Sequence, residues 1–233
     1  MKVLIDLTSL ADNFSGIERF ALSITKELIT DQSRSDIEFI LVFKNEVHKE
    51  FAAEQHNVKK IIVRGKNKLV FNQLQLPLKL ATIKADYYFF PAFPAPFFFF
   101  NRNAISAIHD VGCWDCPSKN RKYMTLYFKI MYRKAALGHK NVVTVSQFSK
   151  NRISKILKKE PGEIAVIYDG LSDCFADFCY DNEQDMKAKG AYGLPEKYIL
   201  CLSTLEPRKN MRLLVEAFSE LIKEKKINTN LVL

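Results

Sequence analysis

Ala104-Ile105-Ser106-Ala107-Ile108-His109-Asp110-Val111-Gly112 is the stretch whose reading decides the fold. A short apolar run (Ala104, Ile105, Ala107, Ile108) stops abruptly at His109, Asp110, Val111 and Gly112. A run of this kind, ending in polar residues and a glycine, reads as a buried parallel strand that delivers side chains at its carboxyl end. Open α/β sheets bind their ligands there. His109, with Asp110 beside it, is therefore the first candidate for chemistry. A histidine in that place can equally do no more than satisfy a neighbouring carbonyl, so its surroundings have to decide.

Upstream, Val3–Leu7 reads as a buried strand followed by a polar loop, Thr8–Phe14. Ser15 and Glu18 then match a capping box, opening a helix with Ile17, Phe20, Ala21, Ile24 and Leu28 on one stripe. Strand, loop, glycine and helix together aim free amides at an anion. Gly16 alone, without a three-glycine fingerprint, is a weak phosphate signal and by itself reads as a turn. Ile37–Phe43 is a second strand, Glu46–Gln55 a short helix, and Lys60–Val63 a third strand. Val70–Ile83 is helical by spacing, with two pieces or a kink expected at Pro77. Asp86–Phe90 is a fourth strand, and the Pro-rich and Phe-rich segment after it cannot join a sheet interior. Phe97–Phe100 is expected to pack under a loop; exposed, it would form a lip that touches a membrane or an acceptor.

Downstream, Arg121–Leu137 has helical spacing, with Tyr123, Leu126, Tyr127, Ile130 and Met131 apolar and basic residues on the other side. Val142–Val145 is a sixth strand, Ser146 caps a helix to Leu157, and Ile164–Ile167 is a seventh strand ending at Tyr168, Asp169 and Gly170. Strands and helices alternating at this spacing predict a Rossmann-like, doubly wound parallel α/β sheet over residues 1–172. The pattern loosens between Leu171 and Pro195, which predicts a linker over 173–196 containing a polar helix, 181–190. A second Rossmann-like unit begins at 197: strand Tyr198–Leu202, loop Ser203–Asn210, a helix from Met211 to about Lys225, and the start of a strand at Asn230.

Composition is that of a protein with a real core, 48% apolar and 26% charged in 233 residues, which excludes a disordered class. The net charge of +9 is concentrated: no acid lies between Asp115 and Glu160, an interval with twelve Lys and Arg. Such a face attracts lipid headgroups, nucleic acid or phosphorylated substrates, or is a solvated helix face. Five cysteines and an amino terminus without a signal-peptide core point to a reducing, cytoplasmic setting. The most apolar run, Tyr87–Phe100, is broken by Pro91, Pro94 and Pro96 and too short to cross a bilayer, leaving peripheral contact with the inner membrane face as the expected membrane association.

In the loop after the eighth strand, Arg208 and Lys209 stand at the mouth of a helix, where two cations and a helix amino terminus can neutralise a diphosphate leaving a sugar. With that loop in place, Ser15–Phe20, Ala104–Asp110, Val143–Lys150, Val166–Gly170 and Tyr198–Phe218 resemble, in order and spacing, the family 4 glycosyltransferases of the GT-B fold, in particular the bacterial mannosyl- and rhamnosyltransferase branch. The matches are strongest at Ile108-His109-Asp110, at Thr144-Val145-Ser146-Gln147-Phe148-Ser149 and at Leu205-Glu206-Pro207-Arg208-Lys209-Asn210.

The resemblance implies retaining transfer of a sugar from a nucleotide diphosphate sugar to a glycan or lipid-linked acceptor, in surface polysaccharide synthesis and without a metal or cofactor. The sequence has no Asp-x-Asp pair to clamp one. It implies catalytic roles for His109 and Asp110 and donor-diphosphate contacts for Gly16, Arg208, Lys209 and Asn210. Ser15, Arg19 and Ser146 become candidates for acceptor and loop contacts. Relatives carry a Glu-x7-Glu segment and most nucleotide contacts beyond the point matching Leu233. The expectation is thus an acceptor-side domain with an incomplete donor-side domain, and little transfer by this chain alone.

Two other readings remain. Cys113-Trp114-Asp115-Cys116, with His109 four residues upstream, has the spacing of a redox pair or half a zinc site. No second CxxC exists, and Cys174 and Cys179 lie in another region, so loop cysteines are the expectation. The aromatics among the cations (Tyr123, Tyr127, Phe128, Tyr132) could stack on bases in a non-catalytic protein that binds nucleic acid or a partner subunit. Their helical spacing favours core packing, so a nucleic-acid partner is not expected.

Overall fold

The computed structural model describes residues 1–11, 15–31, 33, 36–116, 122–171, 175, 179 and 181–233. The end of the Thr8–Phe14 loop, Arg121 and Cys174 lie outside the described residues. The chain forms two compact units, Met1–Gly170 and Leu171–Leu233.

The first unit is built on seven parallel strands: β1 (Lys2–Asp6), β2 (Glu38–Lys44), β3 (Val58–Val63), β4 (Tyr87–Phe90), β5 (Ala104–Ala107), β6 (Asn141–Thr144) and β7 (Ile164–Val166), in the order β3-β2-β1-β4-β5-β6-β7. Register is set by apolar pairing, with Leu4 opposite Ile40 and Ile5 opposite Phe89. The central strands are apolar on both faces because both are covered. Ile5, Phe39, Leu41 and Phe43 pack with Phe20 and Ala21 of α1 (Gly16–Thr30). Leu4, Ile40, Val42 and Phe90 face Phe71, Leu76 and Leu80 on the other side.

The capping box at α1 forms, the Glu18 carboxylate accepting from the Ser15 amide at 2.7 Å. Three local expectations are corrected. Glu46–Gln55 contains only a 3-10 turn, Lys49–Phe51, after which the ammonium of Lys60 takes the carbonyls of Ala52 and Ala53 at 3.1 and 2.8 Å. Around Pro77 the chain stays helical: α2 (Lys68–Val70) runs through a π turn, Phe71–Gln75, into α3 (Leu76–Ala81), with Pro77 in the first turn of α3. Pro77 has no amide to extend an α ladder, and the widened turn before it absorbs that loss.

The third correction concerns apolar exposure. Of Phe97–Phe100 only Phe99 is buried. In α5 (Lys122–Gly138), Met131, Ala135 and Ala136 are buried, whereas Tyr123, Leu126 and Ile130 face solvent. The packed side of the helix carries Met131, Tyr132, Ala135 and Ala136, so the stripe through Tyr123, Leu126 and Ile130 lies outside. A short helix, α4 (Gly112–Asp115), follows β5, and α6 (Gln147–Leu157) links β6 to β7.

In the second unit, β8 (Tyr198–Leu200) and β9 (Asn230–Val232) pair in parallel, joined through the helix Met211–Lys223; the helix Asn182–Tyr192 precedes them within 173–196. None of its described residues is buried.

Candidate functional site

Because β2 and β3 lie on one side of β1 while β4 to β7 lie on the other, the chain reverses direction across the sheet between β1 and β4. In a parallel sheet this leaves a crevice outside the carboxyl ends of those two strands. A cleft of about 350 Å³ occupies it, its polar wall formed by Asp6, Thr8, Lys44, Asn72, Gln73 and Tyr127. Asp6 ends β1 and accepts from the Thr8 amide at 3.1 Å. Burial pushes its carboxyl up to about 6, against the Thr8 hydrogen bonds, which pull the other way. Lys44 ends β2 with its ammonium 4.9 Å from the centre of the Phe71 ring. Gln73, in the π turn, donates to the Tyr127 hydroxyl at 2.7 Å and accepts from the Phe97 amide at 3.0 Å. Phe93 and Phe128 supply apolar wall.

His109 stands two residues beyond β5 on the same edge of the sheet. Its Nε2 lies 2.9 Å from the Pro91 carbonyl oxygen. A carbonyl only accepts, so Nε2 carries the proton and Nδ1 the lone pair. The Phe20 ring meets the imidazole edge-on at 5.0 Å, and Glu18, two residues earlier in α1, lines the cleft. Burial holds the imidazole below its ordinary pKa, opposed by the Pro91 hydrogen bond and by Asp169 and Asp110. The ring is thus neutral at pH 7, an acceptor for a hydroxyl rather than a cation for a phosphate.

The other predicted residues fall as follows. Asp110 is exposed, and one oxygen accepts from the Gly112 amide at 2.8 Å; a Cβ at Gly112 would sit 3.1 Å from that oxygen, so glycine admits the close turn into α4. Ser15, Gly16 and Arg19 are exposed at the start of α1, with open space where a Gly16 side chain would be. Ser146 caps α6, accepting from the Ser149 amide at 3.1 Å. Arg208 and Lys209 lie in a 3-10 turn of the second unit, exposed, with Arg208 paired to Glu206 at 3.3 Å. Asn210 takes the left-handed conformation (φ 50°) at the start of the following helix. The first unit thus brings His109, α1 and the cleft to one edge; Arg208, Lys209 and Asn210 belong to the other unit.

The cleft residues Asp6, Lys44 and Gln73 escaped the sequence reading. The first two carry the signal used for His109, a polar residue closing an apolar strand. Gln73 carries none, since its place depends on the π turn. Burial pushes the Cys113 thiol up to about 11, which makes it a poor nucleophile. Among the described residues no group of three His, Cys, Asp or Glu is placed to hold a metal ion, and no helix is long and apolar enough to cross a membrane.

No family model matches the chain. O-antigen chain mannosyltransferase B of Escherichia coli is 26% identical over 132 residues, which are 56% of this chain and 34% of that protein. Among solved structures, HepE of Anabaena in complex with UDP and glucose superposes with a TM-score of 0.62 at 15% identity, covering 94% of this chain and 58% of that one. A glycosyltransferase from Rickettsia africae gives 0.55 at 19% identity, covering 94% and 57%. The fold is one that glycosyltransferases use. The chain spans about a third of the length of the curated relative and under three fifths of those structures. Within this glycosyltransferase fold the cleft and His109 sit on the seven-stranded unit.

Proposed function

We propose that this chain acts in a retaining glycosyltransferase of surface polysaccharide synthesis, its first unit binding the acceptor and its second unit meeting the donor. The donor is a nucleotide diphosphate sugar and the acceptor a glycan or lipid-linked glycan, with no metal in the reaction. The observation that carries this reading is the cleft at the β1–β4 reversal, lined by a carboxylate, an ammonium and an amide on the same edge of the sheet as His109, in a chain similar to a mannosyltransferase. HepE in complex with UDP-glucose, superposing at a TM-score of 0.61, supports the choice of donor class.

In this reading Asp6 and Gln73 hold acceptor hydroxyls, and the lone pair on His109 Nδ1 takes a hydroxyl of the donor sugar. The free amides at the start of α1 and, on the other unit, the cations Arg208 and Lys209 are each suited to a phosphate. Asp110 orders the turn that carries His109 rather than meeting the sugar.

Titration calorimetry with a mannose-terminated oligosaccharide tests the acceptor half. Binding is expected, weakened about tenfold in Asp6→Ala, the cost of one charged hydrogen bond. Equal affinity in the variant would remove Asp6 from the site. With nucleotide sugar added, transfer by the chain alone should fall far below the roughly 10 per second typical of complete enzymes. Turnover at that rate would refute the expectation of little transfer by this chain alone.

A further inference from the structure

Beside the cleft, and sharing Gln73, Tyr127 and Met131 with it, runs an open groove of about 510 Å³ between the α2–α3 run and α5. Its other lining residues are Leu69, Val70, Leu74, Phe97, Phe98 and Ile130, all of them exposed. On its α5 side the apolar surface continues: Tyr123, Leu126, Ile130 and Leu137 fall on one stripe of a 3.6-residue helix and are 73%, 59%, 45% and 77% exposed. Lys122, Lys129 and Arg133 run along one flank of that stripe.

The aromatic lip is held in place. Lys134 of α5 donates to the carbonyls of Pro96, at 2.9 Å, and of Phe99, and its ammonium sits 4.9 Å from the centre of the Phe100 ring. Phe99 is thereby kept inside while Phe97, Phe98 and Phe100 face out. The loop thus displays three phenyl rings on a fixed backbone.

Charge says what this face meets. The helix that carries the stripe, α5, has four Lys and Arg (Lys122, Lys129, Arg133, Lys134) and no acid. A second copy of the chain would set two positive faces together, and an oligonucleotide would leave the apolar groove and stripe unburied. An anionic bilayer satisfies both features, with headgroups for the cations and interfacial hydrocarbon for the rings.

We propose that this face seats the first unit on an anionic lipid bilayer, Phe98 and Phe100 entering the interface and the groove lying against it. The seating does not rest on the transferase reading. Together with that reading, it lets a lipid-borne acceptor reach the cleft past Gln73 and Tyr127.

The test uses the full chain with no nucleotide sugar or glycan present, so its failure leaves the transferase reading untouched. At physiological salt the chain should sediment with phosphatidylcholine vesicles containing one third phosphatidylglycerol and not with phosphatidylcholine alone. The double change Phe98→Ser with Phe100→Ser should weaken that partitioning about tenfold, with an unchanged far-ultraviolet circular dichroism spectrum. Phe98→Trp should gain emission that is quenched by brominated lipid, beyond the signal of Trp114. No sedimentation with anionic vesicles overturns the proposal. So does binding that ignores the double change, or that a single-stranded oligonucleotide competes away.

Discussion

Asp6 carries a cost that belongs to its role. Its carboxyl titrates at about 6 in the folded chain against an ordinary value of 3.8, so the folded state holds that proton more tightly than the unfolded one. The cost to stability is fully felt above pH 6 and vanishes below 3.8. Asp6→Asn should therefore raise the urea-denaturation free energy above pH 6 by on the order of 2 kcal/mol and weaken glycan binding. His139 works in the opposite sense. The Ser106 oxygen accepts from the Ala95 amide at 3.0 Å and lies 3.0 Å from His139 Nδ1 in the buried interior. Burial, with Lys134 and Lys159 nearby, pushes that imidazole down to about 4 from 6.5. Stability from His139 is complete above pH 6.5 and is lost as pH falls toward 4, and His139→Gln should flatten that acid limb. His109 was legible because it ends an apolar run. His139 and Gln73 were not, since their partners, Ser106 and Tyr127, are 33 and 54 residues away.

At the level of elements, strands and long helices could be read because burial on both faces leaves continuous apolar runs. Helix faces could not. The stripe of α5 has core-like spacing, yet Ala135 and Ala136 make the close contact and Tyr123 and Leu126 are left outside. Apolar residues lie on more than one side of α5, and periodicity does not say which side is covered. The π turn before Pro77 was equally hidden, and it is what aims Gln73 at both Tyr127 and the Phe97 amide. Gln73→Leu should cost about 1–3 kcal/mol by chemical denaturation, because it strands a part-buried hydroxyl and an amide. Ser15→Ala, removing the cap of α1, should cost about 1 kcal/mol. Gly16→Ala meets open space and should leave stability nearly unchanged, so any loss of donor binding in that variant reports on ligand contact rather than on folding.

For the whole molecule, the two units differ in what they bury. The first has apolar layers on both faces of its sheet; the second has a parallel strand pair and an amphipathic helix, and none of its described residues is shielded. Backbone amides of the first unit should exchange slowly, and those of 181–233 within a far shorter time. The lack of burial beyond Leu171 was not legible in the sequence, because it depends on what packs against a surface. The central claim, a sugar-acceptor cleft at the β1–β4 reversal, is tested most directly by deuterium exchange with and without a mannose-terminated oligosaccharide. Added protection is predicted at the segments lining the cleft, 6–11, 72–76, 93–96 and 124–131, and in Asp6→Ala about tenfold more glycan should be needed to reach it. Protection elsewhere in the first unit, or none at saturating glycan, would contradict it.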